Sequence, residues 1–492
     1  MSISQDTRTD LSAPWNGKLF SDGWTTGSGG PLEVRAPATG KSLGAVSTAT
    51  GADLDRAVTR ARRAQREWAA LTYDRRVAVL LEAARLLAGN PARLTSWLVD
   101  EAGSGQGKAA FETELVVTEL RESAALASHP QGELLRSAKP RMSLARRVPV
   151  GVVGVISPFN FPGILAMRSV APALALGNAV VLKPDPRTPV SGGLALAELL
   201  AEAGLPEGLL HVLPGGGELG AALVAHPDVP TISFTGSTAA GRRIGEAAGP
   251  LLKDVHLELG GNNALLVLPD ADAAAASAVG AWGSFLHQGQ ICMATGRHLV
   301  HSSLAEEYIA ALVERARNIP VGDPSDPANA LGPLIDAAQR DRVHELVRAG
   351  ERAGARILTG GRYDGLFYRP TVVDGLTTDN PLWREEAFGP VAPVLVYDSV
   401  DRAVEIINDD EYGLSVSVLT ADAHRGYELA GRIESGAVHV NDATVDDEAT
   451  APFGGVKASG MGGRFGGPGA NLDTFTRTQW VTVQSRIEGY PF

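Results

Sequence analysis

Cysteine is almost absent: Cys292 is the only one in 492 residues. A single thiol excludes an intrachain disulfide and a cysteine-based metal cluster, and it fits a reducing compartment, so a cytoplasmic location is expected. No run of about 18 apolar residues occurs, which excludes a transmembrane helix and leaves no reason to expect a membrane partner. The first ten residues, Met1 to Asp10, lack the apolar core that a secretory signal needs. There is no basic block and the formal charge is -12, so no nucleic-acid partner is expected. Low-complexity tracts and internal repeats are missing. No cluster with metal-ligand geometry stands out, so no metal is expected.

What remains is an ordinary globular composition, with 44% hydrophobic and 20% charged residues. The length exceeds one simple core and implies two or three domains. Ala57, Ala61, Ala64 and Trp68, then Val77, Leu80, Leu81 and Ala84, predict helices over residues 52–90. The helical pattern continues to 128 with charged residues on one face. Residues 132–149 are irregular and basic (Arg136, Lys139, Arg141, Arg146, Arg147), either a hairpin leaving the body or a solvated loop. From Val148 to Ile156 a β-branched run has the texture of a strand buried on both faces. Asn178 to Leu182, Gly208 to Leu213 and Thr231 to Phe234 are further strands, each followed by a helical segment. That alternation predicts right-handed βαβ units and a parallel sheet, with ligands beyond the carboxyl ends of the strands. Asn160, Lys183, Gly215 to Gly217 and Gly236-Ser237 stand at those ends. A second α/β region spans about 262–460, with strands at Ala264 to Leu268, Val391 to Tyr397, Ser415 to Leu419 and Ala437 to Asn441. The alternating tail, Thr476 to Gln484, is a candidate edge strand that pairs with the 132–149 hairpin or with another subunit.

Cys292 lies in Gly289-Gln-Ile-Cys-Met293, beside glycine and polar groups. It is either a small buried hydrophobe or a nucleophile that needs a base. Glu258, between two leucines and ahead of Gly260-Gly261, is the candidate base. Asn160 sits in Ser157-Pro-Phe-Asn-Phe-Pro162, where its amide either caps a helix or donates to an oxyanion. Gly236-Ser-Thr-Ala-Ala-Gly241 follows a strand and opens a helix, a place for a pyrophosphate or simply a tight turn. Lys183 is a ribose ligand or a solvated lysine. Glu386 and Phe388, ahead of Gly389-Pro390, either hold a ribose and a flat heterocycle or form a surface turn over a core phenylalanine.

Together these segments resemble the aldehyde dehydrogenase superfamily over nearly the whole chain. The residues that carry the likeness are Ser157 to Pro162, Lys183-Pro184, Phe234 to Thr238, Leu257 to Gly261, Gly289 to Cys292, Glu386 to Pro390 and Pro452 to Lys457. Leu165 to Leu174, Lys183 to Thr188, His287 to Met293 and Arg464 to Gly467 are most similar to the bacterial benzaldehyde, vanillin and salicylaldehyde branch. The resemblance implies an α/β fold: a Rossmann-like parallel-sheet cofactor domain (1–131 and 150–260), a second α/β catalytic domain (261–473), and a small β oligomerisation element (132–149 and 474–492). It implies Cys292 as nucleophile, Glu258 as base for the hydrolytic water, and Asn160 with the Cys292 N–H as oxyanion donors. Lys183 would bind the adenosine ribose, Gly236 and Ser237 the pyrophosphate, Glu386 and Phe388 the nicotinamide ribose, and the Leu259 backbone the nicotinamide amide. Ser157, Phe159, Gly216 and Gly260 complete the expected cofactor set. A homodimer or homotetramer is implied.

Two positions depart from the family pattern. Pro186 stands where many NAD-linked relatives carry a glutamate, leaving Asp185 to favour NAD or Arg187 to pair with the 2′-phosphate of NADP. NAD is expected, with NADP accepted. Phe465 replaces the glutamate of the common Gly-Arg-Glu, so a proton-exit role there is missing or supplied elsewhere. Phe161, Leu165 and Arg168 on one helical face, Ile291 and Met293 beside the thiol, and Phe453 suit a flat apolar ring, or are ordinary core. The expected substrate is a small aromatic aldehyde, oxidised through a cysteine thiohemiacetal and thioester. The rivals are an aliphatic or semialdehyde substrate, acylation of CoA, and a catalytically silent binding protein on the same fold.

Overall fold

The computed structural model describes residues 13–463, 465–490 and 492. Met1 to Asp10 and Arg464, which entered the sequence reading, lie outside the described residues. One seven-stranded sheet runs in the order Asp254–Glu258, Thr231–Thr235, Val152–Ile156, Ala179–Lys183, Leu210–Val212, Leu19–Ser21, Trp24–Thr25. Its first five strands pair in parallel and the last two antiparallel. Val152–Ile156 and Ala179–Lys183 are buried throughout, as their unbroken apolar runs demand. Order reverses between Val152–Ile156 and Thr231–Thr235, and a crevice opens at such a switch point.

The expected run from Val148 to Ile156 is not one strand. Met142–Pro149 belongs to a separate small sheet, and Gly151 turns the chain at φ +117 before Val152–Ile156 enters the large one. The Asn178 side chain accepts from Gly151 N–H at 2.9 Å and holds that turn. The helix expected near 190 starts as a π-turn, Val190–Leu194, before the α-helix Ala195–Glu202. Glu101 accepts the N–H groups of Val190 and Ser191 at its start.

A second seven-stranded sheet has the order Arg356–Thr359, Thr371–Asp374, Val391–Tyr397, Thr295–His301, Asn263–Val267, Ser415–Leu419, Ala437–Val440. All of its pairs are parallel except the first. The short N-terminal strands and Thr295–His301 escaped the sequence reading. The basic hairpin is real: Gly132–Leu134 and Met142–Pro149 pair antiparallel, and Thr476–Val483 adds to the same hairpin. Helices Gly51–Ala70, Tyr73–Gly89, Ala92–Asp100 and Gln106–Leu126 fall within the expected helical stretch. The last carries a charged face turned inward, with Lys108, Glu112 and Glu119 buried. Among the described residues no helix is long and apolar enough to cross a membrane.

Candidate active site

The two large sheets meet at the Cys292 loop. His287, Gln288 and Gly289 are consecutive left-handed residues, with φ of 49, 56 and 66°. Gly289 is required there: a Cβ would sit 2.1 Å from the Gly389 carbonyl oxygen. The Gln290 side chain accepts from Ile335 N–H at 3.0 Å. Asn263 Nδ2 donates to the carbonyls of Cys292 (2.7 Å) and Ala294 (2.8 Å). The tightness of Gly261 is explained likewise, since a Cβ would lie 2.7 Å from the Cys292 carbonyl.

Cys292 is half-buried on the wall of a cavity of about 640 Å³. The same wall carries Ser157, Phe159, Asn160, Leu165, Lys183, Gly236, Ser237, Leu259, Gly260, Glu386 and Phe388. Burial, then the negative charges of Glu386, Glu258 and Asp447, push the Cys292 thiol up to about 12. The resting sulfur is therefore a protonated thiol at neutral pH, and it needs a base to become a nucleophile.

Asn160 is held from behind. Lys108 donates to its carbonyl at 2.7 Å, and Glu112 accepts Gly163 N–H at 2.8 Å where the helix Pro162–Ala175 begins. Lys108 and Glu112 are a fully buried ion pair. Glu386 accepts Gly261 N–H at 3.0 Å, and burial pushes its carboxyl up to about 7. Phe388 has φ 49°, kept in place by Gln339, whose amide donates to the Phe388 carbonyl at 2.8 Å. Its ring meets Phe159 edge-on at 5.9 Å. Burial lowers the Lys183 ammonium.

The cavity fits a dinucleotide. Ser157 Oγ is buried with no partner among the described residues. Gly217 opens the helix Gly217–Ala225 with nothing above it, and Ser237 caps the helix Thr238–Ala248. Two helix N-termini thus face one cavity, the arrangement that favours phosphate. Gly216 caps the first helix but is not on the wall; Gly217 is. Arg187 is bound by Asp185 (2.8 and 2.9 Å) and Asp336 (2.9 Å), and it stacks on Phe159 at 4.0 Å.

Phe161, Arg168, Ile291, Met293, Phe453 and Glu258 do not line that cavity. Phe161, Ile291 and Met293 are buried in the apolar cluster against which Leu165, Cys292 and Phe453 pack. The Phe161 ring rests on His287 and under the Lys108 ammonium. Arg168 pairs with Asp447 at 2.5 Å and lies 5.4 Å from the Phe453 ring centre. Glu258 Oε1 contacts His256 Nε2 at 3.3 Å. Sequence reasoning missed His256, Asn263, Lys108, Gln339 and Asp447. Only His256 left a signal, standing two residues from Glu258 on a strand. Asp446-Asp447-Glu448 has the look of a solvated acidic run.

The aldehyde dehydrogenase family model matches residues 24–481. A vanillin dehydrogenase from Amycolatopsis sp. is 56% identical over 478 residues, 97% of this chain and 98% of that protein. A benzaldehyde dehydrogenase [NAD(+)] from Pseudomonas putida is 49% identical over 479 residues, again 97% and 98%. The NAD+ complex of an aldehyde dehydrogenase from Bacillus cereus superposes with a TM-score of 0.94 at 33% identity, covering 99% of this chain and 100% of that one. The 3,6-anhydro-L-galactose dehydrogenase in complex with NAP gives 0.91 at 32% identity, covering 95% and 99%. Fold, cavity and these likenesses agree, and the chain belongs to the aldehyde dehydrogenase family.

Proposed function

We propose that this protein oxidises a small aromatic aldehyde to its carboxylic acid with NAD. The observation that carries the reading is one wall shared by Cys292, Asn160, Lys183, Ser237, Glu386 and Phe388. Ser157, Lys183, Gly236 and Ser237 would hold the adenosine and pyrophosphate end, with Glu386, Phe388, Phe159, Leu259 and Gly260 at the nicotinamide end. When bound, the cofactor supplies a two-electron acceptor for the aldehyde carbon. Glu258 takes the Cys292 thiol proton and passes it on to water, the sulfur bonds to the carbonyl carbon, and the oxyanion is taken by the Asn160 amide and the Cys292 N–H. Oxidation leaves an acyl thioester on Cys292. Glu258 removes a proton from water, whose oxygen attacks that thioester and releases the acid.

Support for an aromatic ring comes from the apolar surroundings of Cys292 and from the relatives named for vanillin and benzaldehyde. Support for NAD comes from Arg187, whose three donor nitrogens are already taken by Asp185 and Asp336. The domains proposed are 1–131 with 150–260 for cofactor, 261–473 for catalysis, and 132–149 with 474–492 for assembly into a homodimer or homotetramer in the cytoplasm.

The test is a panel of benzaldehyde, vanillin, short aliphatic aldehydes and semialdehydes, with each nicotinamide, with and without CoA. Aryl aldehydes should exceed acetaldehyde in kcat/KM by about thirtyfold, since burying a ring is worth about 2 kcal/mol. A preference for aliphatic aldehydes would remove the aromatic assignment. A strong NADP preference that collapses in Arg187→Ala would overturn the cofactor assignment.

A further inference from the structure

Lys108 and Glu112 stand one turn apart on the helix Gln106–Leu126 and face the same side. Lys108 Nζ has three donor hydrogens and three acceptors around it: Glu112 Oε2 at 2.5 Å, the Asn160 carbonyl at 2.7 Å and Ser104 Oγ at 3.1 Å. The ammonium also sits 4.0 Å from the centre of the Phe161 ring. The other oxygen of Glu112, Oε1, accepts the N–H groups of Gly163 (2.8 Å) and Ile164 (3.3 Å) in the first turn of the helix Pro162–Ala175. One ion pair therefore grips both ends of the segment Asn160-Phe161-Pro162-Gly163. Both of its side chains are buried and neither lines the cavity, whereas Asn160 does. The desolvation of two charges offsets much of their attraction, so such a pair is a poor means of stabilising a fold. What it supplies is direction, because charge-assisted hydrogen bonds are short and hold their partners in a set geometry.

We propose that Lys108, together with Glu112, is the positioning residue that sets the Asn160 amide toward the substrate oxyanion. The proposal rests on the reading of Asn160 as an oxyanion donor. Such a donor works by being in place before the charge develops, and an error of about 1 Å can cost about a hundredfold in rate. Phe161 has φ −126° and ψ 63°, outside the helical region, so the helix does not itself fix the residue before it. The ammonium on the Asn160 carbonyl holds one end of that segment, and the carboxylate on Gly163 and Ile164 holds the other. The Asn160 side chain is left to face the cavity. Formation and hydrolysis of the acyl-enzyme both pass through an oxyanion, so the pair acts on both steps. It acts neither on cofactor binding nor on the reactivity of the sulfur itself.

The test uses the full-length protein with benzaldehyde and NAD. The double variant Lys108→Met with Glu112→Gln removes both charges together, and the new amide oxygen can still accept Gly163 N–H. Its kcat/KM for benzaldehyde should fall by about ten- to a hundredfold, less than the about 10²–10³ of deleting an oxyanion donor outright. Alkylation of Cys292 by iodoacetamide forms no oxyanion, so its rate should be unchanged, as should the Kd for NAD measured by calorimetry. In an Asn160→Ala background the same double change should cost almost nothing further, because the amide it positions is gone. Wild-type kcat/KM in the double variant overturns the proposal. So does a matching loss in alkylation, which marks a general collapse of the site, and so does an undiminished loss in the Asn160→Ala background. If the double variant does not fold, Glu112→Gln alone keeps an acceptor for Gly163 N–H and loosens the ammonium. It should give the same pattern at smaller amplitude, and an unchanged kcat/KM there is equally fatal. Asn160→Ala by itself identifies which idea fails. If it spares turnover, the oxyanion reading falls and the proposal with it; if it abolishes turnover while the double variant keeps it, the proposal alone falls.

Discussion

Cys292, the proposed nucleophile, is held in its thiol form by its own surroundings. Cys292 is pushed up to about 12 first by burial and then by three carboxylates, of which Glu386 weighs most. Such a shift keeps the Cys292 sulfur protonated at rest, the form less open to oxidation and alkylation. Glu386→Gln removes a nearby negative charge while retaining an acceptor for Gly261 N–H. The pH midpoint for alkylation of Cys292 by iodoacetamide should therefore move down, and the rate at pH 8 should rise several-fold. An unchanged alkylation profile would show that Glu386 does not act on the sulfur. The same substitution should raise KM for NAD if Glu386 holds the nicotinamide ribose, so the two roles are separated by two measurements on one variant.

At the scale of elements, the Cys292 loop depends on its left-handed stretch. Gly289→Ala meets both a positive φ and a carbonyl oxygen at 2.1 Å. The conformational part alone costs about 1–2 kcal/mol, and the clash adds to it. Turnover should drop more than Tm, because the strain falls on Cys292 itself; wild-type activity in Gly289→Ala would show that the loop adapts. The buried charged helix Gln106–Leu126 gives a second case. Burial pushes Glu119 up to about 7, and Glu101 and Glu386 likewise. The unfolded chain releases these protons near the ordinary glutamate value, so the native state holds more protons between about pH 4.5 and 7. Their contribution is whole below that window and is lost as pH rises through the folded value, at up to about 1.4 kcal/mol per pH unit each. Buried His211, lowered to about 4, acts in the opposite sense. The difference between Glu119→Gln and wild type is therefore the informative quantity: the variant should gain relative Tm from pH 5 to 7. A parallel pair of Tm curves would remove Glu119 from this linkage.

These two elements also show what the sequence could and could not disclose. Several core strands and most helices were legible because burial on both faces, or on one stripe, writes a period into the chain, whereas Thr295–His301 in the middle of the second sheet was not. Cys292, Asn160, Lys183 and Glu386, which share one cavity wall, could be singled out because each stands in a short motif. Lys108 and Glu119 were not, since a charged side chain on a helix has the same spacing whether water or a buried partner meets it. Asp447 was invisible for the same reason: its partner Arg168 is 279 positions away, and only the fold brings the two to 2.5 Å. The break at Gly151 was hidden by flanking valines that continue the β-branched texture across it.

For the whole molecule, the small sheet poses the question of assembly. Thr476–Val483 lies against Met142–Pro149 on one side, and its other edge pairs with no strand among the described residues. Trp480 on that strand is 63% exposed, and Leu134, Met142 and Val483 are exposed apolar neighbours in the same sheet. A long strand with an open edge and an apolar face invites pairing, and a soluble protein must cover it or suffer unspecific association. Three basic side chains on or beside this sheet are already engaged within the same subunit: Arg141 stacks on Trp480, Arg146 bonds Gln479 and Arg147 bonds Asp473, which leaves the exposed Arg477 on the open strand. A second copy of the chain is the partner that would protect the edge at every subunit. Light scattering at assay concentration should give a mass of at least two subunits, and Trp480 should be shielded, so that Trp480→Phe changes acrylamide quenching little at that concentration and more on dilution to the monomer. A stable monomer with Trp480 fully open to the quencher would show that the small sheet is a finished surface and that assembly has no part in protecting it.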